Sequence, residues 1–188
     1  MPQTAETIVP TRRLSSLASA TLALAGTLAL AGCGGGPDAK FAPDCPQLKL
    51  LADAADLTRV RGAGTDMTDL VLQARIAAVP ASCMDGARGT VKAKLNVAIE
   101  ASRGPAATTR TVDLPYLITV TRDDRPIEQQ MFLASASFPA NVDRMNIKGE
   151  DITLVFPVSQ DVPVTDYTIY VSFRLTASEL AYNRSHPR

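Results

Sequence analysis

The chain has 188 residues and balances 19 lysines and arginines against 19 aspartates and glutamates, so its formal net charge is zero. This balance excludes the overall basic character that nucleic-acid-binding proteins show. A single histidine, three cysteines and no tryptophan leave few side chains for nucleophilic or metal-based chemistry. The length predicts one domain with a buried core.

The first 32 residues are arranged like a secretory signal peptide. Arg12 and Arg13 provide a short basic region, and an uncharged apolar region runs from Leu17 to Leu30 before the small residues Ala31 and Gly32. Alanine, glycine, serine and threonine make up much of the apolar region, and they contribute little to the stability of a membrane-spanning helix. We therefore expect a cleaved leader at residues 1–32. The general secretory and twin-arginine export routes both stay open.

The end of this leader, Leu30-Ala31-Gly32-Cys33, resembles the lipobox of bacterial lipoproteins at all four positions. The resemblance implies that Cys33 receives a diacylglycerol group, that the leader is cleaved just before it, and that a further acyl chain such as palmitate usually follows. Two or three acyl chains hold a protein firmly in a membrane, since each buried methylene contributes about 0.8 kcal/mol. The alternative is a plain secretory signal with a chance cysteine. Gly34 follows instead of aspartate, which favours the outer membrane over the inner membrane.

Residues 33–44 are rich in glycine and proline, which predicts a flexible tether between the lipid anchor and the fold. At ~3.3 Å per residue it holds the domain up to about 35 Å from the bilayer. Removal of the leader takes away Glu6, Arg12 and Arg13 and leaves one more acid than base. The net charge of the mature chain therefore attracts neither nucleic acid nor an anionic membrane.

Cys45 and Cys83 are the two cysteines that remain once Cys33 is lipidated. An even number of thiols in an exported chain favours a disulfide, which would tie the start of the domain to the end of an early strand. In the chain-entropy picture this closure stabilises the fold by about 4 kcal/mol. Two free buried thiols or a metal site are the alternatives, but two cysteines without a nearby histidine make a poor metal site.

From residue 45 onward, apolar and polar residues alternate with the period of two that is typical of half-buried strands. The clearest strands are expected from Val91 to Ile99 and from Tyr167 to Leu175. Residues 47–60 fit either a strand at 48–52 or a short helix. The less regular strands are predicted at 70–79, 111–121, 127–138 and 152–158, with 145–147 as the start of the last one.

Two local signals complete the predicted architecture. Arg122 to Pro126 has the aspartates and proline of a hairpin turn. Thr176 to Glu179 fits a capping box, which predicts a short helix over residues 178–183. We therefore expect an all-β fold, an antiparallel β-sandwich of six to eight strands with a short C-terminal helix over residues 45–188. This fold resembles an immunoglobulin-like sandwich, although the buried tryptophan of antibody domains is missing.

The sequence offers no recognisable catalytic centre, so we predict a protein that is not an enzyme and has no cofactor or metal. His186 lies three residues from the end of the chain, where chains are usually disordered. Gly62-Ala63-Gly64 is better interpreted as a turn than as half of a dinucleotide-binding motif. The four aspartates between residues 53 and 69 do not match a calcium loop and fit turns and helix caps instead.

Two functions remain. The first is a membrane-anchored lipoprotein facing the periplasm, whose sandwich binds or scaffolds another envelope component, for example by accepting a strand at an exposed edge. The second is a periplasmic carrier or chaperone for an apolar ligand or polypeptide, for which Ala134 and Ala136 leave room between the sheets. Outward-facing Tyr170, Lys92 and Lys94 are residues that partner surfaces use, although such residues are often simply solvated.

Overall fold

The computed structural model describes residues 43–62 and 66–187. The predicted leader, Cys33, the tether up to residue 42, and Ala63 and Gly64 of the predicted turn lie outside the described residues. The described chain forms eleven strands, three short 3-10 helices and one α-helix, which confirms the predicted all-β class. In chain order the elements are β1 (Gln47–Leu50), β2 (Asp56–Val60), β3 (Leu70–Ala78), β4 (Ala81–Asp85), β5 (Thr90–Leu95), β6 (Ala98–Arg103), β7 (Thr111–Arg122), β8 (Arg125–Ser137), β9 (Arg144–Lys148), β10 (Ile152–Pro157), β11 (Tyr167–Phe173) and α1 (Ala177–Ser185).

The strands form the two layers of a sandwich. The first layer has the order β1-β11-β7-β8, in which β1 runs parallel to β11 and the other pairs are antiparallel. The second layer consists of two smaller antiparallel sheets, β2-β3-β6-β9 and β4-β5-β10. Inward-facing side chains of all three sheets share one apolar cluster. Fully burying each large member contributes about 1.5–3 kcal/mol, so this packing holds the layers together.

The two smaller sheets are the halves of one bent layer. Three stretches of chain pass from one half to the other: β3 into β4, β5 into β6, and β9 into β10. The three stretches lie in the same order in both halves. In one half β6 lies between β3 and β9, and in the other half β5 lies between β4 and β10. Counted this way, eight extended stretches account for the eleven strands, in agreement with the upper end of the prediction.

The stretch predicted as one strand from Val91 to Ile99 crosses this bend. Every second side chain from Val91 to Ala101 is buried without a change of phase. The chain nevertheless exchanges its hydrogen-bond partners between Leu95 and Ala98, where β5 ends and β6 begins. Lys92 and Lys94 point outward, as predicted.

Other predicted elements need local correction. Residues 47–60 contain no α-helix; they form β1, a 3-10 turn at Ala52–Ala54 and the unpredicted strand β2. Residues 145–147 do not begin β10, because they belong to β9, which pairs with β6. The hairpin turn is confirmed, with Asp123 and Asp124 at positive φ as in two-residue hairpin turns. Both hydrogen bonds of the capping box are present at Thr176.

Tyr116 reaches from β7 across the core to the bend of the second layer. Its side chain is fully buried, and its ring stacks on Phe132 with 5.5 Å between the ring centroids. Its hydroxyl has no hydrogen-bond partner among the described residues. A Cβ added to Gly149 would lie 2.7 Å from that hydroxyl, which explains the glycine at the bend. Burial and then the Glu150 carboxylate raise the pKa of Tyr116 to about 12; the nearby Glu150 backbone lowers it slightly without meeting the geometry of a hydrogen bond.

Replacing Tyr116 by phenylalanine is expected to leave the free energy of unfolding unchanged or to raise it by about 1 kcal/mol. An unsatisfied buried hydroxyl carries a desolvation cost of about 1–3 kcal/mol, and the substitution removes it. Tyr167→Phe is the control, since the Tyr167 hydroxyl donates to the Pro157 carbonyl over 2.8 Å and its loss should destabilise the fold by about 1 kcal/mol. Urea unfolding measures both variants; equal destabilisation would show that the Tyr116 hydroxyl is bonded.

Candidate functional site

The disulfide predicted between Cys45 and Cys83 is present, with 5.7 Å between the two Cα atoms. Cys45 lies just before β1 of the first layer, and Cys83 lies in the middle of β4 at the edge of the second layer. Cys83 is thus in a strand of its own rather than at the end of an earlier one, because the chain turns at Val79-Pro80 and then pairs with β5. The bond joins the two layers where the predicted tether enters the fold.

Strand β8 is a long edge strand. It has 13 residues and pairs only with β7 in the described sheet, so its other edge has no partner strand among the described residues. Between Ile127 and Ser137 it carries one charged residue, Glu128. Proteins usually protect exposed edges by charges, prolines or short strands. Arg125 and Pro126 provide such protection only at the beginning of β8.

The outward face of β8 carries exposed apolar side chains. Ile127, Met131 and Leu133 are 54%, 59% and 57% exposed, respectively. Met131 lies opposite Leu117 and Leu133 lies opposite Pro115 on β7, so the apolar surface continues onto the next strand. The exposed β8 edge and this surface together form a strip that we call the β8 surface, and it consists of Pro115, Leu117, Ile127, Met131 and Leu133.

Arg174 borders the β8 surface, and Tyr170 lies on the same outer face farther from the β8 edge. The Arg174 guanidinium lies over β7, with its Nη1 3.5 Å from the Met131 sulfur, and it forms no ion pair among the described residues. Tyr170 points outward from β11, as predicted, and the Lys49 Nζ lies 6.0 Å from the centroid of its ring. Beyond Leu117, a groove of about 490 Å³ continues toward α1 and is lined by Leu51, Leu175 and Leu180.

The aspartates near the start of the domain pair with arginines or end turns. Asp53 contacts Arg184 at 3.0 Å, and Asp56 contacts Arg75 at 2.9 Å. Asp66 precedes the 3-10 turn that Asp69 closes. The described residues contain no group of three metal-ligating side chains. Asp53 and Asp56 thus serve as ion-pair partners in this part of the chain.

A polar cluster fixes α1 against β2. Glu179 accepts hydrogen bonds from the Thr176 backbone N–H and from Arg59. Burial alone would raise the pKa of Glu179, but the hydrogen bonds from Thr176 and Arg59 lower it below its usual value. The Asn183 amide donates to the backbone carbonyls of Asp53 and Asp56, at 2.8 Å each. This arrangement is a docking contact of the helix rather than a reactive site.

His186 stacks on Tyr182, with 4.3 Å between the ring centroids, and its Nδ1 lies 3.0 Å from the Tyr182 carbonyl oxygen. His186 thus contacts the last turn of α1. The ring packs on the helix that carries it and contacts no carboxylate in the described structure. This position favours a capping role for His186.

The described residues include no helix that is both long and apolar enough to cross a membrane. No family model, curated protein or solved structure matches this chain.

Proposed function

We propose that this protein is a membrane-anchored lipoprotein of the bacterial cell envelope that binds another envelope protein by accepting an extended segment at β8. The unpaired β8 edge, with the exposed apolar side chains of its outward face, is the observation that carries the binding role. The Leu30-Ala31-Gly32-Cys33 sequence supports the anchor. The role is non-enzymatic, because main-chain pairing and apolar contact need no reactive group.

Strand addition suits this edge for two physical reasons. The backbone N–H and C=O groups along an edge strand are ready to pair with a second chain, which provides affinity. Met131 and Leu133 are two positions apart on the outward face and would contact apolar side chains two positions apart in the partner, which provides specificity. The 13 residues of β8 offer space for a partner strand of ordinary length, about five to six residues.

The proposed anchor places this surface in the periplasm. Two or three acyl chains on Cys33 would make membrane attachment effectively permanent. Gly34 in the position after the cysteine supports the outer membrane as the location. The partner is therefore expected among proteins that expose an extended segment within reach of that membrane.

A periplasmic carrier for an apolar ligand is the second candidate, and a surface groove favours it. This groove has a volume of about 870 Å³ and lies between α1 and β2, with Val60, Val71 and Tyr182 in its lining. Its size is within the range of ligand pockets. Ala134 and Ala136 do not supply the space, since Ala134 is buried in the core and Ala136 packs against it.

Photo-crosslinking in living cells tests the strand-addition proposal. A benzophenone amino acid at position 131 or 133 is expected to give one discrete crosslinked protein, because both side chains border the β8 edge. The same group at position 170 is the matched control, since Tyr170 lies on the same face two strands from that edge. A second variant combines the photo-crosslinker at position 131 with Leu133→Lys. Its crosslinked band should be weaker, because the lysine places a charge in the apolar β8 surface.

Two outcomes would contradict the proposal. The first is the absence of a crosslinked protein at both edge positions in correctly anchored protein. The second is an equal yield of the same species at position 170, which would indicate random collision. A small apolar molecule that co-purifies and is seen by native mass spectrometry would favour the carrier instead.

A further inference from the structure

The outer face of the small sheet β4-β5-β10 combines lysines with exposed apolar side chains. Met84, Lys92 and Val155 lie opposite one another across the three strands. Met84 is 38% exposed and Val155 is 53% exposed. Lys94 follows Lys92 on the same face of β5. We call this surface the basic face.

The basic face carries positive charge that the near-zero net charge of the chain does not reveal. Lys92 and Lys94 form no ion pair among the described residues. Lys148 lines a groove of about 560 Å³ together with Lys94, and it pairs with Asp151 at 2.9 Å. Of these three lysines, Lys148 alone has an ion-pair partner among the described residues.

The tether enters the fold beside the basic face. Cys45 and Cys83 have Cα atoms 5.7 Å apart, and Met84 follows Cys83 in the chain. Since consecutive Cα atoms are about 3.8 Å apart, Met84 lies within about 10 Å of Cys45. Residues 33–42 span up to about 33 Å when extended, which is long enough to let this face lie flat on a bilayer.

We infer that the basic face docks onto anionic phospholipid headgroups of the membrane that holds the lipid anchor. This inference rests on the proposed lipoprotein function. The Lys92 and Lys94 ammonium groups would enter the headgroup region, while Met84 and Val155 contact its apolar boundary. The outer face of the first layer, which carries the β8 surface, points the opposite way, so membrane docking leaves the β8 surface open to a partner.

The experiment uses the full lipidated protein reconstituted in two kinds of vesicle. One kind contains phosphatidylcholine alone, and the other also contains phosphatidylglycerol. Each lysine near an anionic surface favours binding, and two of them should raise the ratio of docked to undocked domains about 30-fold. Lys92 and Lys94 are therefore expected to be acetylated more slowly on the anionic vesicles, as measured by mass spectrometry of peptides. High salt should remove the difference, because it screens exposed charges.

Lys49 serves as the internal control, because it is exposed on the outer face of the first layer. Its acetylation should be equal on both kinds of vesicle. The Lys92→Glu/Lys94→Glu variant should lose the protection of Met84 against hydroxyl-radical oxidation on anionic vesicles, whereas Lys49→Glu should keep it.

Vesicle flotation separates this inference from the proposed function. Protein that does not float with either vesicle lacks the anchor, which would overturn the lipoprotein proposal and the docking that depends on it. Protein that floats equally well with both, yet shows equal acetylation of Lys92 and Lys94 in both, is anchored without docking. That result would overturn the docking inference alone.

Discussion

Replacing Cys33 by serine is expected to abolish fatty-acid labelling and to remove the tight attachment of the protein to the membrane. The serine hydroxyl does not form the thioether that the lipobox resemblance implies, so neither lipid transfer nor cleavage before residue 33 should follow. The variant should then persist as a precursor that keeps residues 1–32 and lacks the firm attachment that acyl chains provide. Metabolic labelling with a radioactive fatty acid, followed by membrane fractionation, measures both effects.

Cys45→Ser is the control for this experiment. It also removes one cysteine from an exported chain, but it lies after the lipobox and takes part in the disulfide. It should keep the fatty-acid label and the membrane attachment. Equal label on the Cys33→Ser protein and the wild type would remove the lipoprotein proposal.

The second large effect is expected from loss of the disulfide. The double variant Cys45→Ser/Cys83→Ser should lower the free energy of unfolding by about 2–5 kcal/mol. The bond closes a loop with a sequence separation of 38 residues, so its removal gives the unfolded chain more conformational freedom. Urea unfolding of the variant and of the wild type gives the difference directly.

Two control measurements test whether the loss of stability comes from the disulfide itself. Met84→Ala changes the neighbour of Cys83 without touching the bond, and it should reduce stability far less, because the Met84 side chain is exposed. Intact-mass measurement after alkylation without reduction should show neither Cys45 nor Cys83 modified in the wild type. Alkylation of both cysteines would mean that the native protein lacks the bond.

The strands were predictable where burial alternates along the chain, but their partners were not. The alternation from Val91 to Ala101 continues without interruption through the bend. Every second side chain faces the core on both sides of the bend, although the backbone passes from one sheet to another. The alternation therefore gives no sign that the chain changes sheets. Strand β4 escaped prediction because residues 81–85 are short and mostly exposed, and they are strand only because they pair with β5.

The position of the β8 surface could not be predicted from the sequence either. The sequence predicted a strand at residues 127–138 but did not indicate which of its apolar residues face outward, because its alternation is less regular. That this strand lies at the edge of its sheet depends on which strands flank β7, which is a property of the whole topology. The disulfide was easier, because only two cysteines remained to pair once Cys33 was assigned to the lipid.

The disulfide also determines how the fold bears mechanical load. A partner that pulls on the domain would stretch the chain between its anchor and Cys45. Strand β1 has four residues and pairs only with β11, so tension applied there would peel it from the first layer. The covalent link at Cys45 also passes tension to Cys83 in the middle of β4, whose neighbour β5 is paired on both sides. The domain can thus be held under force by both layers at once.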